Sequence, residues 1–164
     1  MIILGIDPGT ASTGYGVVKQ TKNLKLKTKV CFECLDYGII KTLPTQATGE
    51  RLKKLNNELS RMIKKYKPEV LSIESLFFFK NLKTALPVSQ AAGVILLTAA
   101  KNNIPAFSFT PMQVKMIIAG HGWAEKEKVQ EKIKKILKLK EIPKPDDAAD
   151  ALAIALTYLL KKTS

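Results

Sequence analysis

Five carboxylates stand where chemistry could use them. Asp7 closes the apolar run "IILGID" just before the turn "PGT", and Glu74 closes "EVLSIE". Asp146, Asp147 and Asp150 open the stretch "KPDDAADALAIALTYLL". Asp147 and Asp150 lie three apart and share a helical face that Ile154 continues inward, whereas Asp146 and Asp150 lie four apart, so spacing alone leaves the partner of Asp150 open. Acids in a first helical turn are favoured by capping and by the helix macrodipole, each by a fraction of a kcal/mol up to about 1 kcal/mol. That accounts for Asp146 and in part for Asp147. It accounts poorly for Asp150, which sits a full turn into alanine and leucine. Carboxylates crowded at one edge repel each other unless a cation neutralises them. Oxygen donors without histidine or thiolate select hard ions, Mg²⁺ or Mn²⁺, over zinc. Two such ions about 4 Å apart steady both the attacking and the leaving oxygen in phosphodiester cleavage.

The elements that must position these acids can be read from periodicity. "IILGID" is a strand, and "GYGVVK" and the β-rich stretch from Leu24 to Ile40 are two more, joined around "TKN", which suggests an antiparallel meander. The period then lengthens: Leu52, Leu55, Leu59, Met62, Ile63 and Tyr66 recur at helical spacing with lysines between, and Pro68 ends that helix. "EVLSIE" reads as a buried strand. A helix over roughly Leu86–Ala100, with Pro87 near its start, leads to a fifth strand in "IPAFSFT", and Pro111 begins a third helix. "GHGW" breaks it. A basic amphipathic helix with Val129, Ile133, Ile136 and Leu137 on its apolar face follows, and "EIPKP" connects to the last helix. The order βββ-α-β-α-β-α-α-α describes an α/β fold, a mixed sheet with helices on its faces. The helical crossover between the first and fourth strands makes them parallel. As neighbours they would bring Asp7 and Glu74 out at one edge, where open α/β sheets place their ligands.

Composition sets the partner class. Lys+Arg number 27 against 14 Asp+Glu in 164 residues, a formal net charge of +13. Such a surface attracts polyanions, nucleic acid foremost. A lysine-rich solvated surface of a heat-tolerant protein is the plainer alternative. Arg51 and Arg61 are the only arginines, so phosphate attraction by lysine outweighs bidentate reading of guanine. Four of the five aspartates fall in the two acidic segments while lysines cover the rest. The length suits one domain, residues 1–164. "MIILGID" is too short for a signal peptide and no apolar run approaches membrane-spanning length, so a cytoplasmic location is expected. Cys31 and Cys34 form a lone C-x-x-C in strand-like surroundings with His121 as the sole histidine, which favours two reduced structural cysteines over a zinc or redox site.

Four blocks, "GIDPGTASTGYGVV", "IESLFFFKN", "TPMQVKMIIAGHGWAEKEKVQ" and "DDAADALAIA", resemble in order and spacing the RuvC family of bacterial Holliday-junction resolvases, over nearly the whole chain. The resemblance implies a ribonuclease H-like fold whose five-stranded sheet has the order 3-2-1-4-5. It implies a structure-specific endodeoxyribonuclease for recombination and DNA repair, whose two-fold homodimer nicks two strands of like polarity across a four-way junction, and which cooperates with the RuvA–RuvB branch-migration machinery. Its four catalytic, metal-binding acids carry over onto Asp7, Glu74, Asp147 and Asp150. Asp146 is left as an extra acid near the rim, a helix-cap residue. Phe77 matches an aromatic that probes bases near the crossover, and core filling is the alternative for Phe77–Phe79. Lys115 and Lys126 match basic positions near the scissile phosphates, against the alternative of ordinary surface lysines. Ala92 stands where relatives often carry a basic residue, which removes one contact or alters the charge near the dimer-forming helix.

"GIDPGTASTG" also resembles the phosphate-binding opening of actin-like and chaperone ATPases. Those clamp nucleotide between two such domains, and this length holds one. A non-catalytic DNA-binding module on the same fold would keep the lysines without needing the complete acid set.

Overall fold

The computed structural model describes residues 1–9, 11–22, 30–75 and 82–163. Strands β1 (Ile2–Asp7), β2 (Ser12–Lys22), β3 (Val30–Lys41), β4 (Val70–Glu74) and β5 (Ala106–Phe109) alternate with helices α1 (Thr48–Tyr66), α2 (Leu82–Lys101), α3 (Pro111–Ala119), α4 (Lys126–Leu137) and α5 (Asp146–Thr163) in the element order expected from sequence. The sheet runs β3-β2-β1-β4-β5. The first three strands are antiparallel neighbours, and β4 and β5 add parallel to β1. This is the mixed sheet of order 3-2-1-4-5 that the resemblance implies.

Strand alternation sorts side chains between two cores. Leu4 and Ile6 of β1, Val17 of β2 and Leu71 and Ile73 of β4 pack with Leu55, Leu59 and Ile63 of α1 and Ile95 and Ala99 of α2. Ile3, Val18 and Val70 point the other way, into α3, α4 and α5. The period-two rule therefore places Asp7, two pleats on from Ile3, and Glu74, two pleats on from Val70, on the α5 side. Ser72 lies between Val70 and Glu74 and confirms the orientation of β4, since its hydroxyl donates to the Ile154 carbonyl of α5 at 3.0 Å.

Several boundaries differ from expectation. Helix α2 begins at Leu82, four residues before the expected start, so Pro87 lies inside it. Proline favours first turns, which is why the sequence suggests a later start; inside α2 it brings no backbone N–H of its own to the helix. Thr21 and Lys22 of the expected "TKN" link belong to β2 and pair with Cys31 and Val30 of β3, Asn23 and the beginning of the Leu24–Ile40 stretch lie outside the described residues, and β3 runs on to Lys41. Cys31 and Cys34 sit on β3, both half-buried and unpaired with each other. Burial pushes the Cys34 thiol up to about 11, with Asp36 adding repulsion, as suits a structural thiol rather than a reactive one.

Candidate active site

The rim where β1 and β4 end is assembled from three segments. The β1–β4 register pairs Ile3 with Val70 and Ile6 with Ile73, so the next residues along, Asp7 and Glu74, leave the sheet side by side. Helix α5 brings its first turn to the same place. It can do so because the strands beneath it lack side chains. A Cβ on Gly14, the β2 partner of Asp7, would stand 1.9 Å from the Asp147 carbonyl oxygen. On Gly5 it would stand 2.2 Å from the carbonyl oxygen of Ala151, and on Gly16 2.8 Å from the Leu152 side chain. On the helix side the matching residues are small: Ala148, Ala149, Ala151 and Ala155 are all fully buried. Glycine against alanine lets α5 lie directly on β1 and β2, and this sets Asp147 and Asp150 over the end of β1.

All four expected acids are half-buried, whereas Asp146 is exposed. Their electrostatics record the crowding. Burial pushes the Asp7 carboxyl up to about 8, with repulsion from Glu74, Asp150 and Asp147 added and the Lys126 ammonium opposing. Glu74 is pushed up to about 7 by burial and by Asp150, again against Lys126. Asp150 is raised by burial, and the hydrogen bond and charge of Lys126 hold it back. Each of the three carboxyls is raised first by desolvation and further by neighbouring acids, as expected of carboxylates crowded on one rim.

Two of the four already have donors. Ser12 donates its hydroxyl proton to the Asp147 carboxylate, and Lys126 donates to Asp150 Oδ2 at 3.0 Å. In this arrangement no three carboxylate, imidazole or thiolate side chains among the described residues are gathered closely enough to hold a metal ion. The donor set nevertheless fits a hard divalent cation: oxygen ligands only, three of them with raised proton affinity, all on one rim. Ser12 and Lys126 each engage the Oδ2 of their acid, so the Oδ1 atoms of Asp147 and Asp150 are not taken up by these two donors.

Lys126, the first residue of α4, also reaches Asp146 Oδ2 at 3.2 Å. The Gln130 side chain donates to Asp146 Oδ1 at 3.2 Å. Lys126 and Gln130 hold the Asp146 carboxyl below its usual range. Its partners are thus α4 side chains, which the expectation of a helix-cap residue did not foresee. Lys115 and Lys126 line one pocket of about 240 Å³ together with Glu74 and Asp150, so both expected lysines stand beside the acids. Phe77, Phe78 and Phe79 lie outside the described residues. Ala92 is buried in the core beneath α2, where it packs rather than meets solvent.

The sequence reading missed Ser12 and the three glycines. A signal for the glycines existed, since "TGYG" sets two of them two apart within a strand, on one face, and strand glycines often mark close approach of another backbone. Nothing pointed to Ser12, whose partner lies 135 residues away.

Comparison with known proteins adds an independent line. Residues 3–158 match the family model described as crossover junction endodeoxyribonuclease RuvC. Proteins of that name from Fusobacterium nucleatum and Ruminiclostridium cellulolyticum are 50% and 51% identical to the chain, over 97% and 96% of it and 80% and 91% of their own lengths. Among solved structures, Thermus thermophilus RuvC superposes with a TM-score of 0.90 at 36% identity, covering 99% of this chain and 96% of that one. The same protein in complex with Holliday junction substrate gives 0.88 at 32% identity, with the same coverage.

Proposed function

The chain belongs to the RuvC family of crossover junction endodeoxyribonucleases, and from that premise we propose that Asp7, Glu74, Asp147 and Asp150 are its catalytic, metal-binding carboxylates and that four-way junction DNA is the substrate. Nucleases of that family are metal-dependent. The oxygen donor set suits Mg²⁺, with Mn²⁺ as a substitute and two ions per site. Ions held there would supply charge stabilisation at the attacking and leaving oxygens of the cleaved phosphodiester.

The remaining work falls to the chain's own groups. Asp7 and Glu74, at the ends of β1 and β4, form one half of the cradle, and like α5 those strands hold side chains more firmly than loops do. Asp147 and Asp150 form the half carried by α5. Lys115 and Lys126 flank the acids and receive the phosphates on either side of the cut, so the polyanion is drawn to a rim that would otherwise repel it. Phe77, three residues beyond Glu74, stacks on a base opened at the crossover. Two copies related by a dyad match a junction with its own dyad and give paired nicks in strands of like polarity. Residues 1–164 carry this activity as one domain, in the cytoplasm and alongside RuvA–RuvB. Among the described residues no helix is long and apolar enough to cross a membrane.

The observation that carries the reading is the convergence of acids from β1, β4 and α5 on one rim, recorded in the repulsion that Asp7 feels from the other three. The test is Asp7→Asn on a synthetic four-way junction with Mg²⁺. Incision should be abolished while junction binding persists. Loss of binding together with cutting would assign Asp7 a structural role instead.

A further inference from the structure

Asp146 has no place in the four-acid set, yet it is firmly held. Gln130 fixes its Oδ1 at 3.2 Å and leaves Oδ2 to Lys126, also at 3.2 Å. Lys126 and Gln130 are four apart on α4, so one face of that helix grips the first turn of α5 through a single carboxylate. The same ammonium lies 3.0 Å from Asp150 Oδ2. Lys126 is therefore shared between an exposed acid that faces solvent and a half-buried acid that faces Asp7 and Glu74.

We propose that Asp146 is a dock for the Lys126 ammonium, which yields Asp150 to an incoming divalent cation and stays on Asp146. The inference rests on the proposed role of Asp150 as a metal ligand. An ammonium and a divalent ion on one carboxylate repel each other, so arrival of the ion favours withdrawal of Lys126 from Asp150. Without a second acid it would withdraw into open solvent, and its pairing would be lost. With Asp146 in place, one of its two contacts survives the exchange, and the displaced charge remains beside the pocket where a phosphate would enter. Asp146 is thus a positioning residue: it acts on the metal site through Lys126 and touches neither ion nor substrate.

A double-mutant cycle in metal affinity separates this from the alternatives. Mn²⁺ binding to the metal-free full chain is measured by calorimetry for the wild type, Asp146→Asn, Lys126→Met and the double variant, without DNA and without cleavage. Asp146→Asn should weaken Mn²⁺ binding about three- to fivefold, the scale of a partly exposed ion pair. Lys126→Met should tighten it by a similar factor, because the competing ammonium is gone. In the Lys126→Met background, Asp146→Asn should leave the affinity within about twofold of its parent. Asp146→Glu, which keeps the charge, should restore wild-type affinity. If Asp146→Asn weakens binding equally in both backgrounds, Asp146 acts on the ion by its own charge or as a ligand, and the dock is refuted. If the wild type binds no Mn²⁺, or Asp150→Asn leaves binding unchanged, the metal reading of Asp150 fails and takes the dock with it. Melting curves check that each variant is folded.

Discussion

Gly14→Ala tests the seam on which the site is built. The added Cβ would stand 1.9 Å from the Asp147 carbonyl oxygen and 2.5 Å from its carbon, and real Cβ contacts essentially never fall below 3.0 Å. The obstacle is backbone on a buried helix, not the far end of a flexible side chain, so the start of α5 must lift by about 1 Å. Forced overpacking of this kind costs about 1–3 kcal/mol. For a chain of this size that is a drop in Tm of roughly 2–12 °C. The effect on catalysis should be larger in proportion, because a displacement of about 1 Å in reacting groups can cost about 10²-fold in rate. Here the displacement acts on Asp147 relative to Asp7, which belongs to the strand paired with Gly14. The assay is single-turnover cleavage of a four-way junction under saturating protein and Mg²⁺, with Tm and junction affinity measured in parallel. Gly49→Ala is the control, since a Cβ there meets nothing within 4 Å, and both Tm and rate should hold or Tm should rise slightly. A Gly14→Ala protein with unchanged Tm and full cleavage rate would refute the close seating of α5 as the device that places its acids.

Three further outcomes are expected. In metal-free protein the raised carboxyls make stability fall with pH: the folded chain retains protons on Asp7 to about 8 and on Glu74 to about 7, while the unfolded chain releases them near pH 4. Stability should therefore be highest below about pH 4 as far as these groups are concerned and decline up to about pH 8, and Asp7→Asn should flatten the decline and add about 1–3 kcal/mol at its upper end; a denaturant titration showing no such slope would contradict the burial of the acids. Junction affinity should drop about a thousandfold or more between roughly 50 and 200 mM salt if about six lysine–phosphate contacts form, and filter binding that shows a flat response would remove the lysines from the interface. Phe77→Ala should reduce cleavage or alter site preference with Tm unchanged, whereas a lowered Tm with normal cleavage would assign Phe77 to the core.

The placement of Asp7 and Glu74 was legible in the sequence because each closes an apolar run, and a helical crossover between their strands forces them parallel. Alternation within those runs even fixes the face, as Ile3 and Val70 point to α5 while Leu4 and Leu71 point to α1 and α2. The acids of α5 were legible as a set, but their distance from Asp7 was not. That depends on Gly5, Gly14 and Gly16 meeting Asp147, Ala151 and Leu152 across more than a hundred residues, and no local pattern reports which backbone will approach a strand glycine. Lys126 illustrates a different limit. The resemblance alone suggests it as a phosphate contact, and its ammonium is found on Asp150 and Asp146, an arrangement set by the packing of α4 on α5, which the helical pattern of neither segment contains.

The dependence of the rim on α5 also bears on how this protein comes into being. Strands β1, β2 and β4 precede α5 in the chain, and the contact from Ser12 to Asp147 closes a loop of 135 residues. Loop closure of that span is among the slower events of folding. Until α5 docks, the rim holds Asp7 and Glu74 without Asp147 and Asp150, so the set of acids proposed for catalysis is completed by the last element of the chain.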